Sequence, residues 1–282
     1  MSDHCRSDKV LRISWSNLQH HELCAQRAKL IRQKKKSPAD DVRNFFHGTV
    51  SDRVMRGWLS DPSPVPGVMP GMVEEYISVC LDDLKVEESG VVRWRSRTDR
   101  SELLKFCQTL VTRLEPYLIR DVLPYDYAPE HRFRVPFRIP YLDGTPTEIE
   151  LVGGIDVLVC RSENHWVVYD LKATANPDYI RKTLGQGIFY DISVLASFGH
   201  SPKEVGFWQP MVTERPYVSA NVTDEDRRSM LSRIVNVAHD RWRGEDSPKL
   251  SAAGCAWCPV KGPCTKMNNG IGAFRPVRAS AR

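Results

Sequence analysis

No apolar run in the sequence approaches the roughly 18 residues that a bilayer span requires, so nothing in it reads as a transmembrane helix. The opening residues, MSDHCRSDKVLRIS, lack the apolar core of a secretory signal, and the expected location is the cytoplasm. There is no internal repeat and no long low-complexity segment, which excludes a solenoid. There is no G-x-x-x-x-G-K-[ST] loop, which excludes that route to nucleotide hydrolysis. Charge bias is also weak: 40 Lys and Arg against 35 Asp and Glu leave a net +5 over 282 residues. So mild an excess is compatible with an anionic partner without requiring one.

What is present begins with eight cysteines. In a reducing compartment they do not read as a disulfide framework. Cys5, Cys80, Cys107 and Cys160 are scattered and read as small buried hydrophobes. Cys255, Cys258 and Cys264 form a C-x2-C-x5-C group in CAWCPVKGPC, and three thiolates so close suit a metal site that needs a fourth ligand. Cys24 is the best candidate for it, and spacing alone leaves zinc and an iron-sulfur cluster both open.

Periodicity divides the chain into a helical region over 1–125, a β-rich core over 126–220 and a C-terminal helix with cysteine loop and tail over 221–282, together one integrated domain. SWSNLQHHELCAQRAKLIRQ reads as one serine-capped helix with a basic end. Helices follow at DVRNFFHGTVSDRVMRGWL, MVEEYISVCLDDL and RSELLKFCQTLVTRLEPYLIRDVL. EHRFRVPFRIPY, TEIELVGGIDVLVC and HWVVYDLKAT, separated by LDGTP and RSEN, read as a meander of three strands. A helix over NPDYIRKTLGQGIFYDISVLASFG, a strand EVGFWQPMV and a helix DEDRRSMLSRIVNVAHDRWR complete an α/β pattern with a mixed sheet flanked by helices. The cationic stretch from Gln26 to Lys36 and the terminal RPVRASAR read first as solvated faces.

Chemistry concentrates on WVVYDLKAT. Strand alternation puts Asp170 and Lys172 on one face and Leu171 on the other, which alone describes a surface ion pair. Asp156 lies on the preceding strand, joined by a short turn, so the two acids are expected side by side. Two carboxylates in one place repel unless a cation or proton joins them, and hard oxygen ligands suit Mg²⁺ or Mn²⁺.

Asp156 in GGID, then Asp170-x-Lys172, then Gln186 and Tyr190 in QGIFY, resembles the PD-(D/E)XK nuclease superfamily in its RecB-like branch. The resemblance implies a restriction-endonuclease-like core and metal-dependent cleavage of DNA, single-stranded or at its ends, by an exonuclease. It implies Asp156 and Asp170 as metal ligands with the Leu171 carbonyl, Lys172 as the residue that positions the attacking water, and Gln186 and Tyr190 beside the catalytic centre. Glu130 matches an acidic residue that often opens the first strand of the branch, and otherwise reads as a solvated glutamate. HGTVSDRVM resembles the branch's G-T-x-x-H motif, with Asp52 where the family has a liganding histidine. That departure keeps a hard ligand but shortens its reach. His47 is off the face of Asp52 and does not replace it.

Iron-sulfur members of the branch, the AddB nuclease domain and CRISPR-associated RecB-like exonucleases, place one cysteine before the nuclease motifs and three after. Ser14, Ser16, Leu18 and Cys24 resemble their N-terminal pattern, so the resemblance implies a structural [4Fe-4S] cluster on Cys24, Cys255, Cys258 and Cys264. It also admits phage-encoded relatives, oligomerisation, and helicase, recombination or CRISPR-adaptation proteins as partners, with the chain serving such an assembly as a DNA-binding or end-processing subunit. A metal-cysteine sensor that binds DNA without cutting it is a third reading. Trp15, Trp208 and Trp257 read first as core and second as platforms for single-stranded bases.

Overall fold

The computed structural model describes residues 10–33, 43–88 and 98–245, together with Cys255, Cys258, Val260 and Cys264. Trp257, Lys34 to Lys36 and the terminal arginines lie outside the described residues. In chain order the elements are β1 (Leu11–Ile13), α1 (Trp15–Leu23), α2 (Ala25–Arg32), α3 (Arg43–Leu59), α4 (Met69–Glu88), α5 (Thr98–Asp121), β2 (Asp126–Pro140), β3 (Pro146–Ser162), β4 (His165–Leu171), α6 (Tyr179–Phe198), β5 (Glu204–Trp208), β6 (Tyr217–Ala220) and α7 (Asp224–Trp242). The sheet is mixed and ordered β1-β3-β4-β5-β6, with β2 also paired to β3. β3 and β4 are antiparallel, whereas β4 and β5 are parallel and joined through α6, as a parallel pair requires a crossover. Among the described residues no helix is long and apolar enough to cross a membrane.

The chain divides into two compact units: 1–39, 136–150 and 231–282 form one, and 40–135 with 151–230 form the other. In the larger unit Val50, Val54, Leu110, Leu114, Val157, Val159, Val167, Tyr169, Leu171 and Trp208 belong to one buried cluster. Of β4, only the odd residues Val167, Tyr169 and Leu171 join that cluster; Val168 and Asp170 are buried outside it. The period of two that suggested a strand is thus expressed as two different buried faces. Trp208 is fully buried and stacked on Tyr169 at 4.3 Å between ring centres, so it is core and no platform.

In the smaller unit the expected single helix is two. Cys24 is extended, with φ −170° and ψ 114°, and it caps α1 at one end and α2 at the other. Its amide closes the last turn of α1 on the His20 carbonyl, and its carbonyl opens α2 by accepting from Ala28. The thiol makes no capping hydrogen bond and is left spare. Arg233 forks onto Glu22 with two contacts of 2.7 Å and covers the half-buried Trp15 ring at 5.4 Å.

Candidate functional site

Register sets the acids. Val157 pairs with Tyr169 across β3 and β4, so Asp156, one residue before, and Asp170, one residue after, fall on the same face of neighbouring strands. Asp156 Oδ2 accepts the Leu171 amide at 2.8 Å. The Lys172 amide donates to the Trp208 carbonyl at 2.7 Å, carrying the β4–β5 ladder one residue past the end of β4. Lys172 forms an ion pair with Asp170, which is 2% exposed.

α6 completes a closed network. Gln186 Oε1 accepts from Lys172 Nζ at 2.8 Å, and Gln186 Nε2 donates to Asp170 Oδ1 at 3.1 Å and to the Tyr190 hydroxyl at 2.6 Å. The Tyr190 hydroxyl in turn donates to Asp170 Oδ1 at 3.2 Å. Gln186 and Tyr190 can do this together because residues four apart share a helix face. Two glycines let the layers close. A Cβ on Gly187 would stand 3.1 Å from both Phe207 and Val205, and one on Gly153 would stand 2.6 Å from the Phe133 ring, whose edge packs on Tyr190.

The electrostatics follow from burial among like charges. Burial, then the Asp170 and Asp52 carboxylates, pushes Asp156 well above the usual carboxylate range. Burial pulls Lys172 down, but Asp170 and Asp156 more than offset it and keep it an ammonium. Burial beside Asp170 holds the Tyr190 hydroxyl protonated.

Asp52, on α3, and Glu130, on β2 but paired with Arg56 of α3, make up the helical side. Asp52 lies on α3, raised by burial, although Arg56, one turn on, pulls it back. Arg56 forms ion pairs with both Asp52 and Glu130. Glu130 is 36% exposed and also accepts from Arg132 at 2.7 Å. It holds the left-handed backbone conformation, φ 51°, which is strained for a side-chain-bearing residue. Its carboxyl sits low: burial would lift it, and the Arg132 and Arg56 hydrogen bonds overcome that. His47 stacks on Phe106 at 4.0 Å. Reading motifs missed Arg56; its position at i+4 from Asp52 is the one signal that could have indicated it.

A divalent cation fits the donor chemistry here. Asp52 Oδ1 is buried without a hydrogen-bond partner, Asp170 Oδ2 meets the Lys172 ammonium alone, and the neighbouring carboxylates add to burial in raising Asp52 and Asp156. Among the described residues, no three His, Cys, Asp or Glu side chains stand together as a ready metal site. Lys172 and Arg56 are the cations that lie on these carboxylates instead.

Cys24, Cys255, Cys258 and Cys264, all in the smaller unit, are free thiols, half-buried. Cys258 is raised by burial and feels the charges of Cys24 and Cys255, with Arg27 acting in the opposite direction. Cys264 lies 3.8 Å from the Gln26 side chain, two residues after Cys24. Soft sulfur donors in this number suit zinc or an iron-sulfur cluster, but among the described residues these thiols do not stand together as a ready metal site.

Residues 12–265 match the PD-(D/E)XK nuclease superfamily. The chain belongs to that superfamily. Among solved structures it is similar to one described as a "Putative exonuclease" from Eubacterium rectale, at 13% identity and a TM-score of 0.51, covering 93% of this chain and 94% of that one. A second, described as SSO0001, shares 12% identity at a TM-score of 0.45 and covers 91% and 86% of the two chains. None of the curated proteins compared matches the sequence. At 13% identity the likeness to the first speaks for a shared fold alone.

Proposed function

We propose that the protein is a metal-dependent DNA exonuclease of the RecB-like branch, acting on single-stranded DNA or DNA ends. The observation that carries this reading is the closed network of Asp170, Lys172, Gln186 and Tyr190 beside Asp156, in a chain of the PD-(D/E)XK superfamily. Asp156 and Asp170, with the Leu171 carbonyl and with Asp52 and Glu130 on the helical side, would hold Mg²⁺ or Mn²⁺. Such an ion, when bound, acidifies water and neutralises phosphate charge.

The chain's own residues do the rest. Lys172 is kept as an ammonium, so it donates hydrogen bonds and does not accept a proton; its role is to orient the attacking water and stabilise charge developing on the phosphate. Gln186 holds Lys172 through its oxygen and Asp170 through its nitrogen, fixing the spacing of ammonium and carboxylate. Tyr190 donates its hydroxyl proton to Asp170, which keeps that buried carboxylate oriented.

Cys24, Cys255, Cys258 and Cys264 would hold a [4Fe-4S] cluster with a structural role, zinc being the alternative. The test is purification without oxygen, visible absorption and metal analysis, then assays on labelled single- and double-stranded DNA with Mg²⁺, Mn²⁺ or EDTA. The isolated wild type should cleave only with a divalent ion, and Asp170→Ala should not cleave. Equal cleavage by Asp170→Ala would falsify the assignment, and colourless, zinc-loaded protein would remove the cluster.

A further inference from the structure

Arg56 is held by two acids at once. One terminal nitrogen of its guanidinium meets Asp52 and the other meets Glu130, while Nε is buried without a hydrogen-bond partner. Asp52 has the complementary arrangement: Oδ2 takes the guanidinium, and Oδ1 is buried and unpartnered. A planar fork, held by its two ends, therefore bridges carboxylates from α3 and β2, and Glu130 meets it in the left-handed backbone conformation. A hard divalent cation takes carboxylate oxygens of the same kind. Guanidinium and cation cannot both hold them.

The guanidinium has another place to go. Arg56 and Glu130 line a cleft of about 260 Å³ together with Arg53, Ser60 and Tyr76. Arg53, Arg56 and Ser60 follow the spacing i, i+3, i+7, on one side of α3 and of the turn that ends it. A Cβ on Gly57 would run into the Tyr76 hydroxyl, so α4 brings that hydroxyl up to α3 only because residue 57 has no side chain. Arg53 is paired with Asp83 at 2.5 Å, and Arg56 with Asp52 and Glu130, so both guanidiniums of the cleft have acid partners. With a divalent cation on Asp52 and Glu130, one guanidinium is left over. A guanidinium fork between two hydroxyl-bearing side chains matches the anionic oxygens of a phosphate.

We propose that Arg56 is an exchange residue: it closes Asp52 and Glu130 when no divalent cation is bound, and when one is bound it turns into this cleft and holds a phosphodiester of the DNA backbone. The proposal rests on the reading of Asp52 and Glu130 as metal ligands. It couples metal binding to DNA binding through one side chain, and the coupling acts equally in both directions. Without metal, Arg56 adds nothing to DNA affinity, because its fork is already taken.

The experiment is calorimetric titration of the full-length protein with Mn²⁺, paired with equilibrium binding of a fluorescein-labelled, phosphorothioate-linked oligothymidylate in Mn²⁺ and in EDTA. Arg56→Gln should bind Mn²⁺ about tenfold more tightly than the wild type. It should bind the oligonucleotide about fivefold or more weakly in Mn²⁺, and within about twofold of the wild type in EDTA. Arg56→Lys keeps the charge, but a single ammonium cannot fork across both acids, so it too should bind Mn²⁺ more tightly. Arg53→Gln removes a charge from the same cleft without releasing Asp52, and should change Mn²⁺ affinity by less than about twofold. Oligonucleotide binding lost equally in EDTA and in Mn²⁺ would overturn the exchange, as would a gain in Arg53→Gln equal to that in Arg56→Gln. Asp52→Asn is scored separately. Unchanged Mn²⁺ affinity there would sink Asp52 as a ligand; weakened affinity there, with Arg56→Gln and Arg56→Lys both binding Mn²⁺ like the wild type, would spare the ligand and overturn only the exchange.

Discussion

The sheet side of the acidic site and its helical side meet the same electrostatic problem in different ways. On the sheet side, Asp156 and Asp170 are fixed by strand register, buried, and closed by Lys172, Gln186 and Tyr190, with α6 holding both Lys172 and Asp170. On the helical side, Asp52 and Glu130 share one guanidinium, and Glu130 holds its place through a strained backbone at the open edge. Buried groups have few alternative partners, while exposed ones exchange theirs with water and salt. Geometry therefore belongs to the sheet side, and adjustability to the helical side.

The largest expected effect tests the rigid side. Lys172→Met should lower cleavage by roughly 10²- to 10³-fold, as loss of one preorganised donor does. It also strands Asp170, and breaking a buried pair costs about 3–5 kcal/mol. Thermal unfolding should show that cost relieved in the double variant with Asp170→Asn; a double variant less stable than Lys172→Met would contradict the pairing.

Next in size is packing. Gly153→Ala would press a methyl group into the Phe133 ring at 2.6 Å and should cost about 1–3 kcal/mol. Denaturant titration with Phe133→Leu in the same chain should recover part of it, and additive losses would show that the two do not meet.

The adjustable side should yield less. Asp52→Ala should lower activity about tenfold, whereas Asp52→His, which supplies the histidine that the RecB-like resemblance implies at this position, should retain activity and favour Mn²⁺ over Mg²⁺. Metal titrations of cleavage would decide this, and a loss as deep as that of Lys172→Met would erase the contrast between the two sides.

Smallest is a difference of sign with pH. Asp156 is raised in the folded chain, so without metal its contribution is present below the unfolded carboxylate value of about 4 and is lost as pH rises through the folded value. Glu130 is lowered, so its contribution is present above its unfolded value and is lost as pH falls through the folded one; its exposure keeps it small. Melting curves in EDTA should therefore move in opposite directions in Asp156→Asn and Glu130→Gln as the pH crosses the carboxylate range. Parallel shifts would contradict the assignment of the two environments.

Much of this architecture can be read from local pattern. The three-strand meander and the crossover helix follow one another from Asp126 to Phe198, and the row from Asp156 to Tyr190 lies within 35 consecutive residues, so alternation and helical spacing suffice to align them. The break at Cys24 was illegible because no glycine or proline marks the bend. β1 and β6, with three and four residues, are too short to show a period. The bridge from Arg56 to Glu130 joins residues far apart in sequence, and the left-handed turn at Glu130 falls on a residue with no preference for it.

The alternation along β4 has a consequence for how this site could be lost. Odd positions wall the helical core and even positions offer Val168 and the acid, so the two tasks are separated by parity alone. A single residue inserted between His165 and Tyr169 would leave composition, charge and strand length nearly intact while exchanging the two faces. Asp170 would then be driven among Val157, Val159 and Trp208, and a tyrosine ring would meet Gln186. Frame-preserving insertions should thus be tolerated in the turn at 163–164 in pairs far better than singly, a counting rule imposed on the gene by the pleat of one strand.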